Sequence, residues 1–405
     1  MGLSTLALSI AESPTLKLND EARKLREQGE SVIHLGIGEP KNKTPEPAVV
    51  ASTSVLAQGD VKYAPTDGTP SLKNAIVRYT EHAYGKTVAP GNIIVSSGAK
   101  QSLYNILYAL LDPNDEVVLL APYWVSYPEM VRMCRGVPVV VTPADGSFRP
   151  RVDEIERAIT PATKAVVCNS PNNPSGMMFD EAFISGLVAL CERSGVHLVM
   201  DDIYHELLFD GLRPISAYRF ASADIETSKL IVVNGVSKLY GMTGFRIGWA
   251  VAPQALVQVM TNIQAQTTSC PSPVTQAGAE GALNGAQNSV DTLRRAMQDN
   301  RDLIMRELAS FPGVRCHRPD GTFYCLPDFS AYERDSVKLS QFLLEKARVV
   351  TVPGREFGME GHLRLSYSGS AKDVTEGVAR MKWALDPNAP REITIGGKQR
   401  VRDWR

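Results

Sequence analysis

The sequence predicts an α/β protein that combines a mostly parallel, seven-stranded sheet with a second, smaller α+β domain. Seven short apolar runs lie between residues 92 and 252, and helical patterns separate them. The runs are nearly continuously apolar, which is typical of strands buried on both faces of a sheet. Alternation of strands with helices favours parallel pairing. A chain of 405 residues is also too long for one small core, so we expect two domains.

The predicted elements follow one another in a regular order. Residues 16–29 read LKLNDEARKLREQG, an amphipathic helix that Gly29 can close because glycine readily takes the left-handed conformation. The first strand leads into the segment AKQSLYNILYALL, whose leucines and isoleucine recur on one helical face. The seven predicted strands span residues 92–97, 116–121, 137–142, 164–170, 196–202, 229–235 and 246–252.

The ends of the chain differ from this central part. From about residue 290 the chain carries long charged helices, followed by short strand-like runs at FYCLPDF and HLRLSYS. We expect residues 1–45 to form an N-terminal arm and part of the small domain, and residues 46–289 to form the large domain. Residues 290–387 would complete the small domain, and residues 388–405 would be a surface extension without a core pattern.

Composition and charge argue against several classes of function. The formal net charge of −1 gives no electrostatic footprint for nucleic acid or an anionic membrane. No apolar run approaches the roughly 18 residues that cross a bilayer, and the first residues lack the pattern of a signal peptide. The six cysteines show no paired spacing, which argues against disulfides or a zinc site. We expect a cytoplasmic protein with no metal and no nucleic-acid or membrane partner.

Polar residues follow most of the predicted strands, at the edge where open parallel sheets bind ligands. Gly98, Ala99 and Lys100 open the helix after the first strand, and small residues there leave backbone amides free for a phosphate. Each polar residue also has an ordinary explanation, since Asn-Pro forms turns and Asp-Asp caps helices. The others at this edge are Trp124, Asn173, Asp201, Tyr204, Ser237, Lys238 and Arg246.

Together these side chains match the needs of one cofactor, pyridoxal 5′-phosphate. Its aldehyde forms a Schiff base with a lysine, and a carboxylate beside its pyridine nitrogen keeps the ring an electron sink. Its phosphate needs amides at a helix start, a hydroxyl and an arginine. Its ring can stack on an aromatic side chain. The sequence therefore predicts a site in which Lys238 and Arg246 bracket this cofactor.

Seven motifs occur in a characteristic order: GEP, KYAPTDGTPSLKNAI, PYWVSYPEM, NSPNNPSG, DDIYHELLF, SKLYGMTGFRIGW and HLRLSYS. In this order the sequence resembles the class I aminotransferases of fold type I, which depend on pyridoxal phosphate. It is most similar to bacterial aspartate aminotransferases, over roughly residues 5–385.

The resemblance implies how the cofactor is held. Lys238 would form the Schiff base and then move the proton between the substrate Cα and the cofactor, while Asp201 would pair with the pyridine nitrogen. Asp201 is chosen over Asp202 by its place in the family's D-x-I-Y pattern. The ring would contact Trp124, Asn173 and Tyr204. The phosphate would contact Gly98, Ala99, Lys100, Ser237, Arg246 and, from the partner subunit of a homodimer, Tyr63.

The resemblance also implies substrate contacts. Arg364 would clamp the α-carboxylate as a bidentate fork, which a lysine could not match. Gly38 would let the backbone approach that carboxylate, with Trp124 and Asn173 bordering the same space. The second carboxylate of a dicarboxylic substrate would contact Lys100, Ser13 and Thr15. We therefore expect ping-pong transamination between aspartate or glutamate and the oxo acids oxaloacetate and 2-oxoglutarate.

The sequence departs from the family pattern in three places. Lys41 and Lys43 stand where the family often has aspartates, so they add positive charge near the site or simply lie on the surface. Gly235 stands where many relatives have a serine for the phosphate. Ala11 stands where relatives that accept prephenate have a lysine, which predicts that prephenate is not a substrate.

Other activities share the same cofactor site. The nearest alternative is an aromatic, alanine or kynurenine-type aminotransferase, followed by a lyase or decarboxylase on the same fold. Lys100 has an ordinary alternative as well, as a first-turn helix residue that points to solvent.

Overall fold

The computed structural model describes residues 2–10, 14–222 and 224–404. Its N-terminal segment contains α1 (Thr5–Ser9), α2 (Pro14–Glu27) and β1 (Ile33–His34). The central part contains α3 (Glu46–Ala57), α4 (Pro70–Tyr84), β2 (Ile93–Ser96), α5 (Ala99–Leu110), β3 (Glu116–Leu120), α6 (Ser126–Met133), β4 (Val137–Val141), α7 (Val152–Ala158), β5 (Thr163–Asn169), α8 (Glu181–Ser194), β6 (His197–Asp201), β7 (Leu230–Gly235), β8 (Gly248–Val251), α9 (Gln254–Thr267) and α10 (Pro273–Asn284).

The C-terminal part begins with the longest helix of the described chain. It contains α11 (Asn288–Ala309), β9 (Tyr324–Cys325), α12 (Ser336–Phe342), β10 (Val349–Val350), β11 (Val352–Pro353), β12 (Leu363–Ser366), α13 (Ala371–Leu385), β13 (Glu392–Ile395) and β14 (Lys398–Val401). Among the described residues, no helix is long and apolar enough to cross a membrane.

All seven predicted strands lie in one sheet, in the order β2-β8-β7-β6-β5-β3-β4. The prediction of a mostly parallel sheet is confirmed, because only β8 runs antiparallel to its neighbours β2 and β7. The chain turns directly from β7 into β8 through residues 236–247, without the helical crossover that a parallel connection needs. This turn contains Ser237, Lys238 and Arg246, so all three residues lie at one end of the sheet.

Both faces of the sheet are largely buried, as the continuous apolar runs predict, except at the edge strand β4, where Val137 and Val140 are exposed. In β3, Val118 and Leu120 belong to one apolar core, whereas Val117 and Leu119 belong to another on the opposite face. Helices α4 and α8 contribute to the first core, and α5, α6 and α9 contribute to the second. Alternate residues of β3 therefore pack against helices on opposite sides of the sheet.

A third core unites the C-terminal part with β1. Side chains of α11, α12 and α13 pack there with the antiparallel sheet β11-β12-β9. Strand β1 pairs in parallel with β10, Ile33 opposite Val349, so the N-terminal segment is built into this α+β unit. Ile203 and Tyr204 belong to the same core although they follow β6. The carboxyl edge of the large sheet therefore abuts the smaller unit.

The last residues differ from the predicted bare surface extension. Strands β13 and β14 form an antiparallel hairpin, and Ile395 is only 2% exposed. Trp404 packs edge-on against Trp383 of α13, with the ring centroids 5.3 Å apart. The sequence pattern did not show this packing because strands of four residues offer too few positions to reveal an apolar face.

Candidate active site

A cavity of about 400 Å³ lies where the carboxyl ends of the large sheet meet the smaller α+β unit. In parallel sheets this edge collects the loops that follow several strands, so residues far apart in sequence meet there. The cavity walls include eleven of the residues predicted from sequence: Gly38, Ala99, Lys100, Trp124, Asn173, Asp201, Tyr204, Ser237, Lys238, Arg246 and Arg364.

The amine of Lys238 lies inside this cavity. Its Nζ donates a hydrogen bond of 2.6 Å to the carbonyl oxygen of Gly38. Burial lowers the pKa of Lys238 to about 8; the charge of Glu39 opposes this shift, and the charge of Arg364 adds to it. A neutral amine is the nucleophilic form of lysine, so this environment prepares Lys238 for reaction with an aldehyde.

β6 ends at Asp201 and Asp202 follows it, and of the two only Asp201 lines the cavity. Asp201 is 4% exposed and accepts a 2.6 Å hydrogen bond from the hydroxyl of Tyr127. Burial raises the pKa of Asp201 to about 6. Asp202 is equally buried, and burial together with the charge of Asp201 raises its pKa to about 8. A cationic ring nitrogen in the cavity would restore the charged form of Asp201.

The start of α5 forms the end of the cavity opposite the smaller unit. Gly98 precedes the helix with φ +88°, and a Cβ there would lie 2.4 Å from Nη2 of Arg246. Arg246 is held by the carbonyl oxygens of Thr243, at 3.1 Å, and Ser97, at 3.4 Å. The amides of Ala99 and Lys100, at the start of α5, have no acceptor one turn earlier in the helix. Amides, a guanidinium and the nearby Ser237 hydroxyl together suit a phosphate.

Arg364, on β12, is a buried cation on the other side of the cavity. It is 4% exposed, and it donates to Asn173 Oδ1 at 3.1 Å and to the Gly36 carbonyl oxygen at 3.0 Å. Its guanidinium carbon lies 4.4 Å from the centroid of the Tyr324 ring. Within the described residues its Nε has no hydrogen-bond partner. A buried guanidinium with an unpaired hydrogen-bond donor is suited to bind an anionic ligand such as a carboxylate.

Lys100 lies at the mouth of the same cavity. Its side chain is solvent-accessible, yet its amine lies 4.7 Å from the centroid of the Trp124 ring. Partial burial and the charge of Arg246 lower its pKa. Lys100 is thus both exposed and close to the Trp124 ring at the cavity, and its part in substrate binding stays a prediction.

Four predicted residues lie outside this constellation or outside the description. The Tyr63 side chain is 88% exposed and borders a separate shallow cavity with Cys270 and Ser272. Ser13 and Ala11 lie outside the described residues, as does the side chain of Thr15.

Comparison with known proteins identifies the family. The model of the class I and II aminotransferases matches residues 30–381 of the chain. The chain belongs to this aminotransferase family.

Relatives and solved structures agree with this assignment. The chain is 39% identical over 388 residues to the probable aspartate/prephenate aminotransferase of Thermus aquaticus, covering 95% of this chain and 99% of the relative. It is 36% identical over 395 residues to the aspartate aminotransferase of Geobacillus stearothermophilus, covering 96% and 100%. The Thermus thermophilus aspartate aminotransferase structure with maleate superposes with a TM-score of 0.90 at 39% identity, covering 94% of this chain and 99% of that one.

The site of this aminotransferase also contains residues that sequence reasoning missed. Tyr127 bonds to Asp201, and Tyr324 lies under Arg364 and near the Tyr204 hydroxyl, at 3.5 Å. Tyr127 follows Trp124 by three residues, a spacing that places both on one side of a helical turn. Tyr324 carried no comparable signal, because its strand β9 has only two residues.

Proposed function

We propose that this aminotransferase uses pyridoxal 5′-phosphate to exchange the amino group of aspartate or glutamate with oxaloacetate or 2-oxoglutarate. The reaction is ping-pong: the amino acid leaves as an oxo acid before the second oxo acid binds. The observation that carries the proposal is the cavity itself, which Lys238, Lys100 and Arg364 line together, and in which Arg364 Nε has no hydrogen-bond partner among the described residues.

The residues of the cavity fit this cofactor. Gly98 leaves room for the Arg246 guanidinium, which a Cβ at this position would displace. The guanidinium can therefore lie beside the first amides of α5, where both can bind a phosphate. Asp201, at the far end of β6, suits a protonated pyridine nitrogen. When bound, the cofactor supplies an electron sink for the charge that develops at the substrate Cα.

Lys238 performs the proton transfer. Its pKa of about 8 means that a substantial fraction of the amine is neutral near pH 7 to 8. Once the substrate amine has taken its place, the free Lys238 amine accepts the proton from Cα and later returns it. The Gly38 carbonyl oxygen accepts a 2.6 Å hydrogen bond from Nζ and so fixes the position of the amine within the cavity.

Arg364 and Lys100 divide the recognition of a dicarboxylate. Arg364 binds the α-carboxylate, since Asn173 and Gly36 orient its guanidinium and leave donors available. Lys100 binds the second carboxylate from the mouth of the cavity. The relatives named above are called aspartate or aspartate/prephenate aminotransferases, and the similar Thermus thermophilus structure contains maleate, a four-carbon dicarboxylate. These names support the same substrate class here.

We also propose a cytoplasmic homodimer in which Tyr63 reaches the phosphate of the partner subunit's site. Its 88% exposure in the single chain leaves the hydroxyl available for such a contact. The proposed domain division is residues 46–289 for the large domain and 290–387, with the arm 1–45, for the small one, followed by the extension 388–405.

The test is single-turnover absorbance of the holoenzyme after addition of one amino acid without an oxo acid. We expect aspartate and glutamate to convert the cofactor fastest. Faster conversion by phenylalanine, tyrosine or alanine would contradict the dicarboxylate assignment. Return of the aminated cofactor to its aldehyde form after later addition of prephenate would overturn the prediction based on Ala11.

Three variants separate the roles. Lys238→Ala should lower kcat by about 10⁵-fold or more, as removal of an essential nucleophile does. Arg364→Lys should weaken the binding of all substrates by about 10- to 100-fold, because one charged hydrogen bond contributes about 1.5–3 kcal/mol. Lys100→Met should weaken the binding of aspartate and glutamate but leave the binding of alanine unchanged. Equal losses with alanine and aspartate in the Lys100 variant would exclude its role in side-chain recognition.

A further inference from the structure

The C-terminal hairpin is an ordered element beyond residue 381, where the family match ends. Its strands β13 and β14 are joined by Gly396 and Gly397, with φ of +56° and +77°. Two glycines at positive φ favour a tight hairpin turn whose twist matches the strands. The sequence therefore builds a defined hairpin instead of a loose tail.

The hairpin contributes two cations to one carboxylate near the N-terminus. Glu30 lies between α2 and β1, and its side chain is 16% exposed. Lys398 Nζ lies 3.0 Å from its Oε1, and Arg348 Nε lies 3.0 Å from its Oε2, which also accepts from Arg400. Hydrogen bonds from Lys398 and Arg348 lower the pKa of Glu30 to about 2, so the carboxylate is ionised throughout the physiological range.

The residue after Glu30 is fixed from two sides. Arg380 of α13 donates to the Ser31 carbonyl oxygen at 2.6 Å and to its hydroxyl at 3.1 Å. The hairpin turn packs on the same residue, since a Cβ on Gly396 would lie 2.5 Å from the Ser31 Cβ. Residues 30 and 31 are thus held between α13 and the hairpin.

A short, hydrogen-bonded segment leads from this clamp to the active site. Strand β1 pairs with β10 two residues after Ser31. Further along, the Gly36 carbonyl oxygen accepts from Arg364 and the Gly38 carbonyl oxygen accepts from Lys238. A slip or tilt of β1 would move both carbonyl groups, and with them the two cationic side chains of the site.

The end of the hairpin is anchored independently of Glu30. Trp404 donates from Nε1 to the Ala384 carbonyl oxygen at 3.0 Å and lies edge-on against Trp383 and Phe342. Arg402 donates to the Pro387 carbonyl oxygen at 2.8 Å, just after α13. These contacts tie the hairpin to the smaller unit, so that Lys398 and Arg400 can act on Glu30 from a fixed base.

We propose that Glu30 is a positioning residue, and that the C-terminal hairpin, through Lys398 and Arg400, fixes β1 so that Gly36 and Gly38 orient Arg364 and Lys238. The proposal rests on the proposed function only in naming the α-carboxylate as the group that Arg364 binds. Because every amino-acid and oxo-acid substrate carries that carboxylate, the hairpin affects all substrates alike.

The test uses full-length holoenzyme with Glu30→Gln, Arg400→Gln and the double variant. The matched control is Glu392→Gln, an exposed carboxylate on the same hairpin whose side chain, among the described residues, accepts a hydrogen bond from Gln399 across it. We expect KM for the amino acid and for the oxo acid to rise together by about three- to tenfold in each Glu30 or Arg400 variant, with a smaller change in kcat. The double variant should show little additional loss, because both changes break the same contact.

Amide hydrogen exchange supplies a readout that does not depend on turnover. Peptides covering residues 32–38 should exchange faster in the Glu30 and Arg400 variants than in the control. Unchanged exchange in those peptides, or a KM effect as large in Glu392→Gln, would overturn the proposal. If exchange quickens while the wild type fails to transaminate aspartate, the hairpin's role stands and the substrate assignment fails.

Discussion

At the scale of single residues, neighbours of the same type have different chemical roles because a strand alternates its side chains. Asp201 faces the cavity and accepts from Tyr127, whereas Asp202 does not line the cavity. The motif DDIYHELLF was enough to place an aspartate at this point. The bond to Tyr127 could not be predicted, because it joins positions 74 residues apart that meet only in the folded sheet.

The two aspartates give a paired prediction. Asp201→Asn should lower kcat by about 10²-fold or more, since it removes the charge that stabilises a protonated ring nitrogen. Asp202→Asn should change kcat by less than about threefold. Its pKa of about 8 means that the Asp202 carboxyl is largely neutral at pH 7, and an amide resembles a neutral carboxyl.

Steady-state kinetics at pH 7 with saturating cofactor would decide between the two residues. Circular dichroism of both variants would serve as the folding control. A loss in Asp202→Asn equal to that in Asp201→Asn would mean that the wrong aspartate has been assigned.

At the scale of elements, the sheet was predictable and its connections were only partly so. All seven strands were found because strands buried on both faces are continuously apolar. The antiparallel direction of β8 carried no such signal, since an apolar run reads the same in either direction. The docked hairpin was missed because its partners, ionic and aromatic alike, lie far away in sequence, as in the Glu30 pairs and the contact of Trp404 with Phe342.

The start of α5 gives the prediction at this scale. In Gly98→Ala the new Cβ would lie 2.4 Å from Nη2 of Arg246, so the guanidinium must move away from the phosphate cradle. We expect cofactor affinity to fall by at least about 10-fold, in line with loss of one charge-assisted hydrogen bond. The measurement is the cofactor dissociation constant by absorbance titration.

A second glycine separates this effect from backbone strain. Gly146 also has positive φ, +71°, but a Cβ there meets nothing within 4 Å. Gly146→Ala should therefore also lower the temperature of unfolding through backbone strain while leaving cofactor affinity unchanged. If both variants lost cofactor affinity equally, backbone strain and not displacement of Arg246 would explain the loss.

At the scale of the whole molecule, the single chain completes most of one site but leaves one predicted residue outside it. Eleven predicted residues line the cavity, whereas Tyr63 is 88% exposed beside Cys270 and Ser272. Helix α3, which precedes Tyr63, also exposes apolar side chains, with Val50 and Leu56 each 59% exposed. Clustered exposed apolar residues are typical of an interface between subunits.

The homodimer proposal makes the last prediction. Sedimentation equilibrium should give twice the chain mass of 44.1 kDa. Tyr63→Phe should leave that mass unchanged and weaken cofactor binding by about 10-fold, because the partner's phosphate would lose one hydrogen bond to a charged group. Tyr108→Phe, another exposed tyrosine at 54%, is the matched control and should bind the cofactor as the wild type does. A monomer that binds the cofactor with equal affinity in both variants would show that each chain completes its own site and that Tyr63 has no part in it.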